Sequence, residues 1–354
     1  MTIRPEVLAA PAYHFSAKDA AIKLDQNESA YDLDDALKAE VLERLKAVAF
    51  NRYPELSAHS LATRLAKHEK WSPEGIVLSG GSNVLIQALI LAAGLGKTVL
   101  TVKPSFSVYS LQAQLLGVNL SEIALDESFE LNMPKLLAAL ESGAGVFFLA
   151  NPAAPTGNTF SRADIEHLAE ASKDAWLMVI DEAYYQFANT NYLELVSRFN
   201  HVVCLRTFSK AFGLGGVRLG YALMQASLAE NVQKLILPFS VSALQQSVGM
   251  TVLEHTELVQ ERTQEVLEER SRVVNELSRL PTLTVYPSET NFILFRVPDA
   301  ESFYEGLLDK GVLIRRQDHL YGLEGCLRVS IGKPDENTAF LDAARTLIGE
   351  LSYG

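Results

Sequence analysis

The stretch Thr207-Phe208-Ser209-Lys210-Ala211-Phe212-Gly213-Leu214-Gly215-Gly216-Val217-Arg218-Leu219-Gly220-Tyr221 carries the densest chemistry of the chain. It places one lysine just past the apolar, strand-like run His201 to Leu205, follows it with small residues, and brings Arg218 eight positions later. A lone lysine is ordinarily a solvated charge. Neighbouring cations and partial removal from water favour the neutral amine instead, and a neutral amine condenses with an aldehyde. Ser209 and Arg218 are suited to complete a phosphate site, the guanidinium offering two parallel donors.

Asp181-Glu182-Ala183-Tyr184 closes the buried run Trp176 to Ile180. An acid at the carboxyl end of a strand in an open α/β sheet stands where such folds bind ligands. Taken alone, Asp181 fits equally a helix cap or the magnesium-binding acid of a P-loop NTPase. Ser79-Gly80-Gly81-Ser82-Asn83 lies between a strand from Ile76 and a helix opening at Val84. Its glycines let the backbone approach an anion, Ser82 is placed to cap the helix, and the first free amides and the helix dipole point at bound charge. A tight strand-to-helix turn uses the same residues for geometry alone. Gly96-Lys97-Thr98 looks like the end of a nucleotide-binding loop, but the glycine required five positions before Gly96 is Leu91. The following Val99-Leu100-Thr101-Val102 reads as strand where that motif needs a helix. This order disfavours an ATPase.

The elements that position these residues form an α/β pattern. Between residues 75 and 225, strands beginning near Ile76, Val99, Val146, Leu177, Val202 and Leu219 alternate with helices such as Asn83 to Ala92 and Arg162 to Lys173. Ser161 is the expected N-cap of the latter, with Asp164 at the third helical position. The alternation implies a mostly parallel sheet covered on both faces. After Leu237-Pro238-Phe239 a long helical stretch carries an apolar stripe at Val259, Val266, Val273, Val274, Leu277 and Leu280. Strands at Thr284 to Tyr286, Asn291 to Val297, Val312 to Ile314 and Cys326 to Ile331, with a helix around Phe303 to Asp309, then describe a small α+β domain. The expected division is an N-terminal arm over 1–25 joining the small domain, a large domain over 26–240, and a small domain over 241–354.

Length and composition agree with this. A chain of 354 residues buries a substantial core and reads as two domains. With 31 Lys and Arg against 43 Asp and Glu, the net charge of −12 speaks against nucleic acid and against anionic membranes. No apolar run approaches the roughly 18 residues of a membrane span, and Met1 to Pro11 lacks the plan of a signal segment, so a cytoplasmic location is expected. Two cysteines, one of them Cys204 inside a strand, make no disulfide framework. Seven scattered histidines, none at metal-ligand spacing, predict no metal.

As an ordered set these residues resemble the fold-type I enzymes that use pyridoxal 5′-phosphate, in particular the class II aminotransferases, among which the histidinol-phosphate aminotransferases look closest. The resemblance runs from about Leu24 to Gly332. It rests on Leu24-Asp25-Gln26-Asn27-Glu28, Asn51-Arg52-Tyr53-Pro54-Glu55, the Gly-Gly-Ser turn, Pro104-Ser105-Phe106, Ala154-Pro155-Thr156-Gly157, Asp181 to Tyr184, the Ser209-Lys210 stretch, Ser288-Glu289-Thr290-Asn291 and Cys326-Leu327-Arg328-Val329-Ser330. It implies a large domain built on a mostly parallel sheet and a smaller α+β domain.

Carried over by position, it implies that Lys210 forms a Schiff base with the cofactor and moves the substrate's proton, that Asp181 pairs with the pyridine nitrogen, and that Tyr184 bonds the ring's phenolic oxygen. Phe106 is expected on the ring face. The phosphate is expected on Ser82, Asn83, Ser209 and Arg218, and on Tyr53 reaching across from a second subunit, which implies a homodimer. The expected substrates are an amino donor and a keto acid, glutamate/2-oxoglutarate and histidinol phosphate/imidazole acetol phosphate. Arg328, Arg315, Tyr13 and Asn27 are their expected contacts, with the choice between Arg315 and Arg316 open. Two residues depart from the family pattern: Ala154 stands where an asparagine usually donates to the phenolic oxygen, and Phe106 where tyrosine is frequent. Other readings of the same fold are an aromatic amino-acid aminotransferase or a decarboxylase of a phosphorylated amino acid. A reading of another class is a non-catalytic cofactor-binding regulator, for which the short acidic N-terminus offers no DNA-binding module.

Overall fold

The computed structural model describes residues 2–11, 18–188 and 190–352. Among these, short apolar runs bounded by turns become the strands of a seven-stranded sheet, ordered Ile76–Ser79, Gly220–Leu223, Val202–Thr207, Trp176–Asp181, Gly145–Ala150, Thr98–Lys103, Asn119–Ala124. Gly220–Leu223 runs antiparallel to both neighbours and the other pairings are parallel. The strands Gly145–Ala150, Trp176–Asp181 and Val202–Thr207 are buried at every position because helices cover both faces. One face packs residues such as Leu100, Phe147, Met178 and Cys204, the other Val99, Val146, Val179 and Val203. This is the period-two alternation of a strand dividing its side chains between two cores.

The six strand positions expected from sequence are all present. The seventh strand, Asn119–Ala124, was not anticipated. It lies at the sheet edge, is largely exposed, and so lacks the apolar run by which buried strands are recognised. The expected helices are Ser82–Ala93 and Arg162–Ser172, and the Ser161 side chain accepts from the Asp164 amide at 3.1 Å.

The stretch after Pro238 is two helices, Ala243–Val252 and Thr256–Leu277. Within the second, Val266, Val273 and Leu277 are buried, while Leu280 lies beyond its end. The first starts at a Ser242–Gln245 capping box and packs Val248 and Val252 into the core of the large sheet, beside Leu61 and Leu219. This helix, which follows the boundary expected at 240/241, buries its apolar face against the seven-stranded sheet's core.

The small domain holds an antiparallel sheet ordered Arg315–Arg316, Cys326–Ser330, Phe292–Arg296, Thr284–Val285. It packs with Thr256–Leu277, Ala300–Asp309 and Pro334–Ser352 around Phe295, Phe303 and Phe340. The N-terminal segment is shared. Ile22–Lys23 pairs in parallel with Val312–Leu313 of the small domain, whereas Arg4, just before the helix Pro5–Ala9, donates to the carbonyls of Leu115 and Leu116 in the large domain.

Candidate active site

Parallel strands end on one edge of the large sheet, and the chain leaves that edge in turns bearing the residues singled out from sequence. A single cavity there is lined by Lys210, Asp181, Tyr184, Ser82, Asn83, Phe106, Ser209 and Arg218. The Lys210 Nζ atom donates to the carbonyls of Gln26 at 3.1 Å and Asn27 at 2.9 Å. These two bonds hold the amine at the junction of the N-terminal segment and the sheet edge.

Asn27 ties both domains to the site. Its backbone is left-handed, φ 52°, a conformation asparagine tolerates better than most residues. Its amide donates to Ser330 Oγ at 2.8 Å and its carbonyl accepts from Asn291. Its Nδ2 donates to Tyr184 Oη at 2.9 Å, so that oxygen acts as an acceptor there and the phenol's own proton is directed elsewhere.

Asp181 terminates its strand fully inside the protein. Its Oδ2 accepts from Tyr109 Oη at 2.7 Å and its Oδ1 from the Ala183 amide at 3.1 Å. Burial pushes the carboxyl up to about 6. These two donors oppose the shift and the neighbouring Glu182 carboxylate adds to it.

The phosphate-type corner is built by close backbone approach. Gly81, not Ser82 as expected, is the N-cap of Ser82–Ala93, and Ser82 makes no side-chain cap because it already sits in the first turn. The first-turn amides of Ser82 and Asn83 have no partner within the helix by its geometry. Gly81 has φ 104°, and a Cβ there would stand 2.7 Å from Arg218 Nη2, so glycine is needed for the backbone and for the guanidinium alike. Arg218 is held at φ 61° by Gln245, which donates to its carbonyl at 2.6 Å, while Arg218 Nη1 donates to the Gly215 carbonyl at 3.0 Å. Thr207 Oγ1 donates to Ser209 Oγ at 3.0 Å.

A second chamber opens from the first over Phe106, Tyr184 and Lys210, and its far wall carries Arg315 and Arg328. Arg315 lies opposite Arg328 in the antiparallel register, so both side chains emerge on one face. Arg316 points the other way and pairs with Glu301 at 3.1 Å and Asp318 at 2.7 Å. The register turns Arg315, not Arg316, toward the chamber. Arg328 donates to the Asp25 carbonyl at 2.9 Å and lies over the Phe292 ring.

Tyr53 is 83% exposed, stacks on Phe239 at 4.7 Å, and does not line the cavity of its own chain. Tyr13 lies outside the described residues. The Ala154 methyl lines the cavity and supplies no hydrogen bond. Asn151 does not replace the missing asparagine, since its amide donates to Tyr192 Oη and accepts from the Phe160 N–H.

The sequence reading missed Tyr109, Thr207, Gln317 and His319. Tyr109 was legible only as the apolar face of Val108–Leu116, and Thr207 as the last residue of a strand. Gln317 and His319 follow the two arginines in a loop without a pattern of its own.

The comparisons with known proteins agree with this geometry. Residues 19–343 match the family model for aminotransferase class I and II. A histidinol-phosphate aminotransferase of Deinococcus radiodurans is 46% identical over 98% of this chain and 96% of its own length. One of Aquifex aeolicus is 36% identical over 96% of each. Among solved structures, histidinol-phosphate aminotransferase from Sinorhizobium meliloti in complex with pyridoxal-5′-phosphate superposes with a TM-score of 0.89 at 24% identity, covering 99% of this chain and 98% of that one. L-threonine-O-3-phosphate decarboxylase from Porphyromonas gingivalis follows at 0.80 and 22%, covering 93% and 99%, a likeness that extends to the fold alone. A sheet edge bearing a buried carboxylate, a lysine and a glycine-cradled arginine thus belongs to a chain that matches one family over nearly its whole length, and the chain is a member of the class I and II aminotransferases.

Proposed function

We propose that the protein transfers the amino group of histidinol phosphate to 2-oxoglutarate, giving imidazole acetol phosphate and glutamate, with pyridoxal 5′-phosphate as cofactor. The observation that carries this reading is the 46% identity to a histidinol-phosphate aminotransferase over 98% of the chain. Arg315 and Arg328, side by side above Lys210, support it, because both amino donors carry an anion remote from the amine.

The donor set of the inner cavity fits the cofactor. A carboxylate, a phenol, a lysine and a helix start with an adjacent guanidinium match a pyridine nitrogen, a phenolic oxygen, an aldehyde and a phosphate. When bound, the cofactor supplies an electron sink for the charge left on the substrate's α-carbon. In this reading Asp181 would hold the ring nitrogen, and Tyr184, its oxygen already accepting from Asn27, would donate a hydrogen bond to the phenolic oxygen. Phe106 covers the ring face. Ser82, Asn83, Ser209 and Arg218 hold the phosphate. Lys210, whose Nζ is placed by the Gln26 and Asn27 carbonyls, would hold the cofactor at its aldehyde, and its free amine would accept the proton of the substrate's α-carbon. Arg315 and Arg328 hold the phosphate of one substrate and the distal carboxylate of the other, with Asn27 and Tyr13 completing the contacts.

A homodimer is part of the proposal. Phe50, Tyr53, Leu56 and Leu237 are each more than half exposed, an apolar face suited to a second copy that would receive Tyr53 at its phosphate site. Mixing Lys210→Ala with Tyr53→Ala subunits tests this: a mixed dimer regains one intact site and hence activity, whereas self-contained monomers regain none. A cytoplasmic location accompanies the reading; among the described residues no helix is long and apolar enough to cross a membrane.

The substrate is tested by adding histidinol phosphate, glutamate, aromatic amino acids and phosphothreonine singly to the loaded enzyme. The expected result is loss of the cofactor's visible absorbance with histidinol phosphate and glutamate, without release of carbon dioxide. Preference for an aromatic amino acid, or carbon dioxide from phosphothreonine, would replace the substrate assignment. Absence of conversion by any amine would favour the regulator.

A further inference from the structure

Tyr109 is completely buried, and its hydroxyl is spent on one group. Oη donates to Asp181 Oδ2 at 2.7 Å. The ring cannot swing away, because it stacks on Phe148 with centroids 4.8 Å apart and meets the edge of Phe106 at 5.6 Å. Phe106 is itself a wall of the inner cavity, so one aromatic cluster supports both the ring-facing wall and the carboxylate.

We propose that Tyr109 is a positioning residue that holds the Asp181 carboxylate ionised and oriented toward the cofactor's ring nitrogen. This rests on the cofactor reading given above. A carboxylate has two oxygens with about four acceptor directions. Tyr109 takes one at Oδ2 and the Ala183 amide one at Oδ1, which fixes the rotation of the group about its Cβ–Cγ bond and leaves its remaining acceptor directions for the cavity. A carboxylate in such a site without a donor would take up a proton, since burial disfavours the charged form.

The other charged and titratable groups around Asp181 do not substitute for this bond. Glu182, next in sequence, disfavours the charge and is engaged by Arg206. Tyr184 accepts from Asn27. Lys210 is bound to two carbonyls, and Arg218 lies at the phosphate end of the cavity, held to Gly215. A hydroxyl donor to a charged acceptor favours its ionised form, so loss of the donor displaces the protonation of the acceptor by about one pH unit or more.

The test uses two aldehyde-free cofactor analogues that bind apoenzyme without a covalent bond, deoxypyridoxine 5′-phosphate and its 1-deaza counterpart, which has carbon in place of the ring nitrogen. The ratio of their affinities at each pH cancels the contributions of the phosphate and the ring faces and reports the carboxylate. In the unmodified protein the ratio should favour the nitrogen analogue at high pH and fall as pH drops through the Asp181 range near 6. In Tyr109→Phe, which keeps the ring and its stacking, that fall should move to higher pH by about one unit. A Tyr109→Phe profile superimposed on the parent, or an equal weakening of both analogues at every pH, would show a packing role only and overturn the proposal. If the parent apoenzyme binds neither analogue, the cofactor reading itself fails and takes the proposal with it.

Discussion

Arg206 Nε donates to Glu182 Oε2 at 2.8 Å, and both side chains are completely buried. Glu182 directly follows Asp181, and Arg206 stands four residues before Lys210 on the neighbouring strand, so the pair binds together the two strand ends that carry the carboxylate and the amine of the site. A second carboxylate, Glu69, also meets Arg206 and accepts from Tyr221, while Asn191 accepts from the guanidinium at 3.0 Å and the Tyr185 ring lies 3.9 Å from it.

Removing the cation from this cluster leaves two buried carboxylates facing each other. Arg206→Met is therefore expected to destabilise the apoprotein by about 3–5 kcal/mol in urea unfolding. A loss below about 1 kcal/mol would mean that water enters the cluster and screens it.

The state of Asp181 makes stability depend on pH. Its folded value, about 6, lies above its ordinary 3.8 because of burial. Between these values the unfolded chain has released a proton that the folded chain keeps, so stability of the apoprotein declines as pH rises from about 4 to 6. The decline attributable to this group is roughly 3 kcal/mol. Asp181→Asn should remove that share of the slope, which parallel unfolding curves across the window will measure.

The two adjacent arginines should separate cleanly. Arg328→Ala and Arg315→Ala are each expected to raise KM for histidinol phosphate and for glutamate by about ten- to a hundredfold, with cofactor absorbance intact. Arg316→Ala should leave both KM values in place, since its guanidinium is occupied by Glu301 and Asp318. A rise in KM for Arg316→Ala comparable to that of Arg315→Ala would reverse the assignment drawn from strand register.

Lys210→Ala should lose nearly all turnover together with the visible absorbance of the lysine-linked cofactor. The fold should persist, because Nζ bonds only two backbone carbonyls of the N-terminal segment. An unchanged visible spectrum in this variant would exclude Lys210 as the point of attachment.

Local sequence was enough for elements whose determinants are local. Buried strands such as Gly145–Ala150 announce themselves as apolar runs because both faces are covered, and Ser161 marks a helix start because its oxygen accepts from a backbone amide three residues on. Asn119–Ala124 was invisible for the converse reason, an edge strand with little burial. The helical character of Ala243–Val252 is legible in sequence but its packing partner is not, because amphipathicity records that a face is buried and not against what.

The sequence by itself placed Lys210, Asp181, Tyr184, Ser82, Asn83, Ser209 and Arg218 on turns beside strands of one sheet, and such turns meet at a common edge, where these residues line one cavity. Only the tertiary structure decided which neighbours complete that site. Tyr109 reaches Asp181 across 72 positions of chain, and Asn27 reaches Tyr184 across 157. Strand register, which turns Arg315 and Arg316 to opposite sides, follows from pairing with Cys326–Ser330. Hydrogen bonds between distant segments act through space, and no spacing along the chain encodes them.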